Sequence, residues 1–462
     1  MSLFAPELDR LERTPSVGIV GRVSAVRGLT VIVNDLTVPV GSLVRIGGGV
    51  LGEVVGSARG QTVVMLLGQA SGIRARDAVE LVRTSRSARV GEPMLGRILD
   101  GLGRPIDGGD PLVCRDARDL DPTPIGPMQR RSIDTQLLTG VRAVDLMTPI
   151  GRGQRMGIFA GPGVGKSTLL GQMARSTNAD VSVIALIGER GREVRDFVEH
   201  ALGEEGLKRS VVVCATGDES PPMRLRAAKL ACAAAEYFRD TGRDVLLVMD
   251  SVTRLAHAQR QIGLSVGEPP ATRGYTPSVF SEMALLLERA GSVTTSDGGT
   301  GSITGMYTIL VEGDDATEPI SDAARGILDG HLMLSRKLAQ KGHFPAIDVL
   351  DSVSRVCDDV TDGRHRNGRQ QVLKVLAAYR EVEELVQIGA YASGSDPESD
   401  VAIEFHKPIE ALLQQGRGEE GKHEDAREIM IKLGLQTSEM IEQLGKQQAG
   451  ARAAAARQAG DA

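Results

Sequence analysis

The sequence predicts an α/β fold built on a mostly parallel sheet, preceded by a small β-barrel and followed by a helical domain. Three observations carry this. Short β-rich runs cut by glycine fill the chain up to about Val82. Apolar runs then alternate with amphipathic stretches from about Gly91. After Asp362-Gly363 the β-type runs stop and helical spacing takes over. Regularly spaced short strands suit a barrel, and strand–helix alternation suits a parallel sheet covered on both faces.

In chain order, V-G-I-V-G-R-V-S-A-V from Val17, then Leu29–Val33, Leu43–Ile46, Thr62–Leu67 and Ala78–Val82, read as the barrel strands. Arg83–Val90 is polar and basic and reads as a solvated linker. Gly101–Asp110 reads as turns. Met156–Phe159 suits a buried strand, and Thr168–Ala174 a helix. Val181–Ile187, Ser210–Ala215 and Val245–Met249 read as strands. Between and after them, Glu193–Ala201, Pro221–Phe238 and Val252–Ile262 read as helices, proline being tolerated in a first turn. Val372, Val375, Leu376, Tyr379, Val382, Leu385 and Val386 mark one C-terminal helix; Ile409, Leu412 and Leu413, then Ile429, Met430 and Leu433, mark two more. The alanine-rich end is expected to fray. The domains expected are 1–90 for the barrel, 91–362 for the sheet domain and 363–462 for the helices.

Composition excludes several function classes. A net charge of -6 and the absence of Trp speak against nucleic-acid binding, which calls for a basic surface and stacking platforms. Cys114, Cys214, Cys232 and Cys357 lie far apart, with neither zinc-ligand nor disulfide spacing, and no histidine pair has metal-ligand spacing. The start is charged within its first ten residues, and no apolar run approaches a membrane span. A cytoplasmic protein is expected, working at a membrane only from its surface.

Between strand and helix, Ala160-Gly161-Pro162-Gly163-Val164-Gly165-Lys166-Ser167-Thr168 has the form of a phosphate cradle. Glycines let successive N–H groups turn inward around an anion, and the following helix points its N-terminus at it. Lys166 supplies charge for β and γ phosphates, and the Ser167 hydroxyl suits Mg²⁺. Ala160 departs from G-x-x-x-x-G-K-[ST], and Gly161 is expected to relieve the turn from the next position.

Hydrolysis also needs a group that holds water and charge that offsets the γ-phosphate. Glu189, after the strand Val181–Ile187, is placed for the first; alternatively it pairs at the surface with Arg190 or Arg192. Asp250 ends D-V-L-L-V-M-D and suits a carboxylate that holds Mg²⁺ through water. Arg355 follows the apolar stretch from Ala346 and could reach a neighbouring subunit's phosphate, with a structural role as the alternative. The pairs Asp314-Asp315 and Asp358-Asp359 read as turn or capping residues.

Together with G-P-G-V-G-K-S-T, the segments G-E-R-G-R-E, L-L-V-M-D-S-V-T-R, G-E-P-P-A-T-R-G-Y-T-P-S-V-F and F-P-A-I-D-V-L-D-S-V-S-R, in this order, resemble the catalytic-subunit family of rotary ATPases. L-L-E-R-A-G, G-S-I-T and E-G-D-D-A-T-E-P-I-S-D-A-A-R-G-I-L-D-G-H are most similar to its branch serving the flagellar type III export apparatus. The likeness covers roughly 17–385. It implies a RecA-like core and an ATP hydrolase that uses Mg²⁺ with ATP and assembles as a homohexamer with sites between protomers. It further implies a regulatory stalk-like protein, export-gate components, and export substrates with their chaperones as partners. By the same resemblance Lys166, Glu189, Arg190, Asp250 and Arg355 are catalytic and Phe344 lies against adenine. An injectisome ATPase and the catalytic subunit of a proton-driven ATP synthase are the alternatives, and the acidic lever motif of the latter is not visible after Asp362.

Overall fold

The computed structural model describes residues 18–58, 60–68, 72–84, 86–295, 298–311, 318–419 and 422–460. The opening segment and Asp314-Asp315 lie outside these described residues.

Six strands close the barrel: β1 (Val20–Arg27), β2 (Thr30–Asn34), β3 (Leu43–Ile46), β4 (Val50–Ala58), β5 (Gln61–Leu66) and β6 (Ala78–Arg83), in the order β1-β2-β5-β4-β3-β6. Alternate residues point inward, so Val31, Val33, Val44, Ile46, Val64, Leu66 and Val79 fill the interior. β4 was not marked in the sequence because Gly52 and Gly56 break its apolar run. Gly52 is required by packing, since a Cβ there would lie 2.5 Å from Val64 Cγ1.

Ser87–Val90 is a strand and not a linker: β7 (Ser87–Val90) follows the barrel. β8 (Ile98–Leu99) and β9 (Asp116–Asp119) come next, and β9 pairs antiparallel with β7. Arg86, read as solvated, is engaged in pairing. Its guanidinium bridges Glu53 of β4 at 3.2 Å and Asp121 at 2.8 Å. Glu53, 5% exposed, also accepts from Arg226 at 3.0 Å. Removing one partner of such a buried pair typically costs about 3–5 kcal/mol, so this charge cluster fixes the barrel on the sheet domain.

That domain, to which β8 already belongs, continues with β10 (Gln136–Leu137), α1 (Arg142–Met147) and β11 (Ile150–Gly151). Next come β12 (Arg155–Ala160), α2 (Lys166–Ser176), β13 (Val181–Ile187), α3 (Gly191–Asp196), α4 (Gly203–Lys208), β14 (Ser210–Ala215) and α5 (Pro221–Asp240). β15 (Asp244–Asp250), α6 (Val252–Ser265), α7 (Pro277–Leu287), β16 (Gly291–Thr294), β17 (Thr300–Leu310) and α8 (Pro319–Ile327) follow. β18 (Gly330–Leu334), α9 (Arg336–Gln340) and β19 (Ile347–Ser354) close it. A single turn of π-helix, Phe197–Leu202, joins α3 to α4, so the helix expected over Glu193–Ala201 changes type at Phe197 and helical structure runs on to Lys208. The sheet runs β19-β18-β12-β17-β15-β13-β14-β8, parallel except that β19 is antiparallel to β18 and β16 to β17. β13, β14 and β15 are buried almost throughout between helices on both faces, the reason their sequences are predominantly apolar.

The helical end consists of α10 (Gly363–Gln387), α11 (Pro397–Leu413) and α12 (His423–Gly460). α12 stays helical through the alanine-rich stretch expected to fray, as the helix propensity of alanine favours. Gln415, just past α11, ties this end to the sheet domain. Its Oε1 accepts from Arg142 N at 2.9 Å and its Nε2 donates to Gly140 O at 2.9 Å, while its backbone N–H donates to Phe344 O at 2.9 Å.

Candidate active site

The parallel strands β12, β13 and β15 deliver their C-terminal ends to one edge of the sheet, and the candidate residues gather there. Ala160 is the last residue of β12, buried and in register with Leu310. It belongs to the strand and not to the turn, so a side chain is accommodated without relief from Gly161, which is absent from the positive-φ glycines. The turn is made by Gly163 at φ 78° and Gly165 at φ 87°, left-handed conformations that favour glycine. Val164, 2% exposed, pins the loop to the core, while Pro162 and Gly163 face outward and a Cβ at Gly163 would meet nothing within 4 Å. The loop is therefore an open cradle leading into the N-terminus of α2, with Ser167 exposed in the first turn and Thr168 beside it.

Lys166 lies between two carboxylates: its Nζ is 2.5 Å from Asp250 Oδ1 and 3.6 Å from Glu189 Oε1. Asp250, 2% exposed at the end of β15, is held by the Thr308 hydroxyl at 2.7 Å. Glu189 is 8% exposed, and its Oε1 accepts no hydrogen bond among the described residues. Burial pushes its carboxyl up to about 6; the Lys166 ammonium pulls against this, and the Asp250 carboxylate pushes with it. The surface pairing considered for Glu189 does not occur. Arg190 instead pairs with Glu193 at 3.4 Å and Arg192 with Asp196 at 3.5 Å, both largely exposed. Arg190 thus stands outside the Lys166–Glu189–Asp250 cluster.

Arg254 was missed in the sequence. It lies in the first turn of α6, four residues beyond Asp250, with Nε 3.5 Å from Glu189 Oε1. Gly188, at φ 75°, makes room for it, since a Cβ there would lie 2.8 Å from Arg254 Cδ. Its only sequence signal was its place in L-L-V-M-D-S-V-T-R.

Phe344 and Arg355 flank β19 and part company. The ring of Phe344, 45% exposed, lies against the cradle, within 3.5 Å of where a Cβ on Gly165 would stand. Arg355 follows the far end of β19. Ser354 is paired with Gly330, and β18 is level with the beginning of β12. Four residues of strand, about 13 Å, separate that level from Ala160. Arg355 is exposed and makes no ion pair among the described residues, so within one chain it cannot serve the cradle.

The site fits a triphosphate with its cation on three counts. The cradle is open, Glu189 carries an unsatisfied buried oxygen, and Ser167 and Asp250 offer hard oxygen donors.

Residues 140–354 match the ATP synthase alpha/beta family, nucleotide-binding domain, and residues 361–432 match the T3SS EscN ATPase C-terminal domain. The chain is 50% identical over 420 residues to the flagellum-specific ATP synthase of Treponema pallidum, covering 90% of this chain and 93% of that protein. It is 49% identical over 378 residues to the type 3 secretion system ATPase of Xanthomonas euvesicatoria, covering 82% and 84%. The solved structure of the assembled ATPase EscN in complex with its central stalk EscO, from the enteropathogenic E. coli type III secretion system, superposes with a TM-score of 0.82. It is 40% identical, covering 90% of this chain and all of that one.

Proposed function

The chain belongs to the family of flagellum-specific ATP synthases and type 3 secretion system ATPases, within the ATP synthase alpha/beta family, and from that premise we propose how its site works in protein export. It is an ATP hydrolase that energises export through the flagellar type III secretion apparatus. The cluster of Lys166, Glu189 and Asp250 at the mouth of the glycine cradle carries this reading.

The loop amides and the N-terminus of α2 bind the phosphate tail, and Phe344 packs on the adenine. Lys166 leaves Asp250 for the β and γ oxygens when nucleotide enters. Ser167 and Asp250 are the residues that would hold Mg²⁺, which supplies charge neutralisation when bound. Glu189 orients and polarises the attacking water. Arg254 holds Glu189 in place, and Arg190 acts when drawn inward by the γ-phosphate. Arg355 acts on the site of the adjacent protomer, where its fork offsets charge in the transition state.

Two findings support a homohexamer with sites between protomers: Arg355 stands remote from its own cradle, and EscN is described as assembled. EscN is also described in complex with a central stalk, and a stalk-like regulator is proposed here by analogy, alongside gate components, substrates and chaperones. Among the described residues no helix is long and apolar enough to cross a membrane, and contact with the export gate is proposed to be peripheral, from the cytoplasm.

Chromosomal Lys166→Ala in the source organism is expected to abolish flagellar export and motility while the protein is still made. Intact motility would contradict the flagellar reading. Intact motility with lost needle-dependent secretion would establish the injectisome reading, which the match to the EscN C-terminal domain favours.

A further inference from the structure

β12 has a support at its beginning as well as a cradle at its end. Gln154, the residue before β12, is fully buried, and its side chain is fully engaged. Its Oε1 accepts from Gly151 N at 2.9 Å. Its Nε2 donates to the Ser354 hydroxyl at 3.1 Å and to Asp329 O at 3.2 Å. That same carbonyl accepts the backbone N–H of Arg355 at 3.0 Å. Gln154 therefore holds both the residue before Arg355 and the atom to which Arg355 is anchored.

Asp329 is itself fixed to the first residue of β12. Its N–H donates to Arg155 O at 2.9 Å; its carboxylate accepts from Arg155 N at 3.1 Å, from Nε at 3.0 Å and from Nη2 at 2.9 Å. Gly330 permits this closeness, because a Cβ there would lie 2.8 Å from Met156 Sδ and 3.0 Å from Ser354 Cα. Both hydrogen bonds of the Gln154 Nε2 thus go to the base from which the exposed Arg355 side chain projects, while its Oε1 is held by Gly151 N.

We propose that Gln154, acting with Ser354 and Asp329, is a positioning residue for Arg355. The strand that ends in a protomer's own phosphate cradle then begins in the support of the arginine offered to the next protomer. This rests on the reading of Arg355 as a group that acts across the subunit interface. Replacing the amide with an isosteric alkyl group leaves Ser354 without its partner and loosens the turn under Arg355. A misplacement of about 1 Å in a charge-stabilising group can cost about 10²-fold in rate.

The test uses full-length chains and steady-state ATP hydrolysis. Gln154→Leu is expected to lower kcat about 10- to 100-fold, with KM and the affinity for a fluorescent ATP analogue changed less than about twofold. Mixing it in equal amounts with Lys166→Ala chains, which have a disabled cradle and an intact Arg355, is expected to raise the rate about 3- to 25-fold above Gln154→Leu alone, because about one site in four then joins a sound cradle to a sound arginine and relieves a defect of about 10- to 100-fold. In the mixed assembly a sound cradle then faces a sound arginine. Arg355→Ala mixed with Lys166→Ala runs in parallel. Recovery in both mixtures supports the proposal. Recovery with Arg355→Ala alone overturns it, because the Gln154 defect then lies in its own cradle. Recovery in neither overturns the interface reading and the proposal with it, and a wild-type kcat for Gln154→Leu also overturns the proposal. Should Gln154→Leu not assemble, Ser354→Ala removes a single hydroxyl from the same support and is expected to show the same pattern.

Discussion

Arg355→Ala is expected to lower kcat by about 10³-fold or more while leaving ATP affinity and assembly unchanged, because an arginine supplied in trans typically contributes 10³–10⁵ to phosphoryl transfer. The expectation follows from topology. β19 is the one strand at its edge of the sheet that runs antiparallel, and it carries Phe344 to the cradle and Arg355 away from it. The guanidinium is exposed, lacks an ion pair among the described residues, and is anchored through its backbone to Asp329. An arginine with a structural task would be paired, as Arg155 is with Asp329. Arg355→Lys is expected to recover little, since a point charge does not reproduce a planar fork. Hydrolysis rate and binding of a fluorescent ATP analogue, measured on the same sample, check this; a variant with unchanged kcat would remove Arg355 from the chemistry.

Glu189→Gln is expected to lower kcat by about 10²–10⁴-fold with nucleotide still bound, the range typical of a positioned proton-transfer group. The amide keeps the size and loses the negative charge beside Lys166. The carboxyl, raised to about 6 by burial, is ionised above that pH and protonated below it. Only the ionised form polarises water, so kcat/KM for the wild type is expected to be flat above about pH 7 and to fall with an acid limb near pH 6. The raised value puts this limb above that of an ordinary exposed glutamate, near about 4.3. A profile flat down to pH 5 would show that Glu189 is not the titrating base.

The sequence was most legible where one physical requirement acted alone. Val181–Ile187 and Ser210–Ala215 coincide residue for residue with their strands, because a parallel strand buried on both faces is mostly apolar, and the two serines in these runs, Ser182 and Ser210, are satisfied by donating to Ala174 O and Gly206 O. β17 runs through the centre of the same sheet and was not assigned. Its first half, Thr300-Gly301-Ser302-Ile303-Thr304-Gly305, answers to two requirements at once. A Cβ at Gly301 would overlap the Arg239 carbonyl and one at Gly305 the Tyr307 ring, so packing imposes glycines that read locally as turns.

The site divides in the same way. Lys166, Asp250 and Glu189 were readable because Lys166 opens a helix, Asp250 ends a strand and Glu189 follows a strand by two residues, and parallel strands bring such ends together. Arg254 was not, since nothing local distinguishes it from Arg224 or Arg260; only the close passage of Gly188 puts it against Glu189. The remoteness of Arg355 from its own cradle required knowing the direction of β19, which a single strand's sequence does not encode.

The central claim is that each active site is completed by a second copy of this chain. ATPase rate per protomer against protein concentration, for the purified chain alone, tests it most directly. The claim predicts a rate per protomer that rises with concentration and levels off as assembly completes, so that the total rate curves upward at first. A rate per protomer that stays constant into the range where light scattering reports only monomer would contradict it.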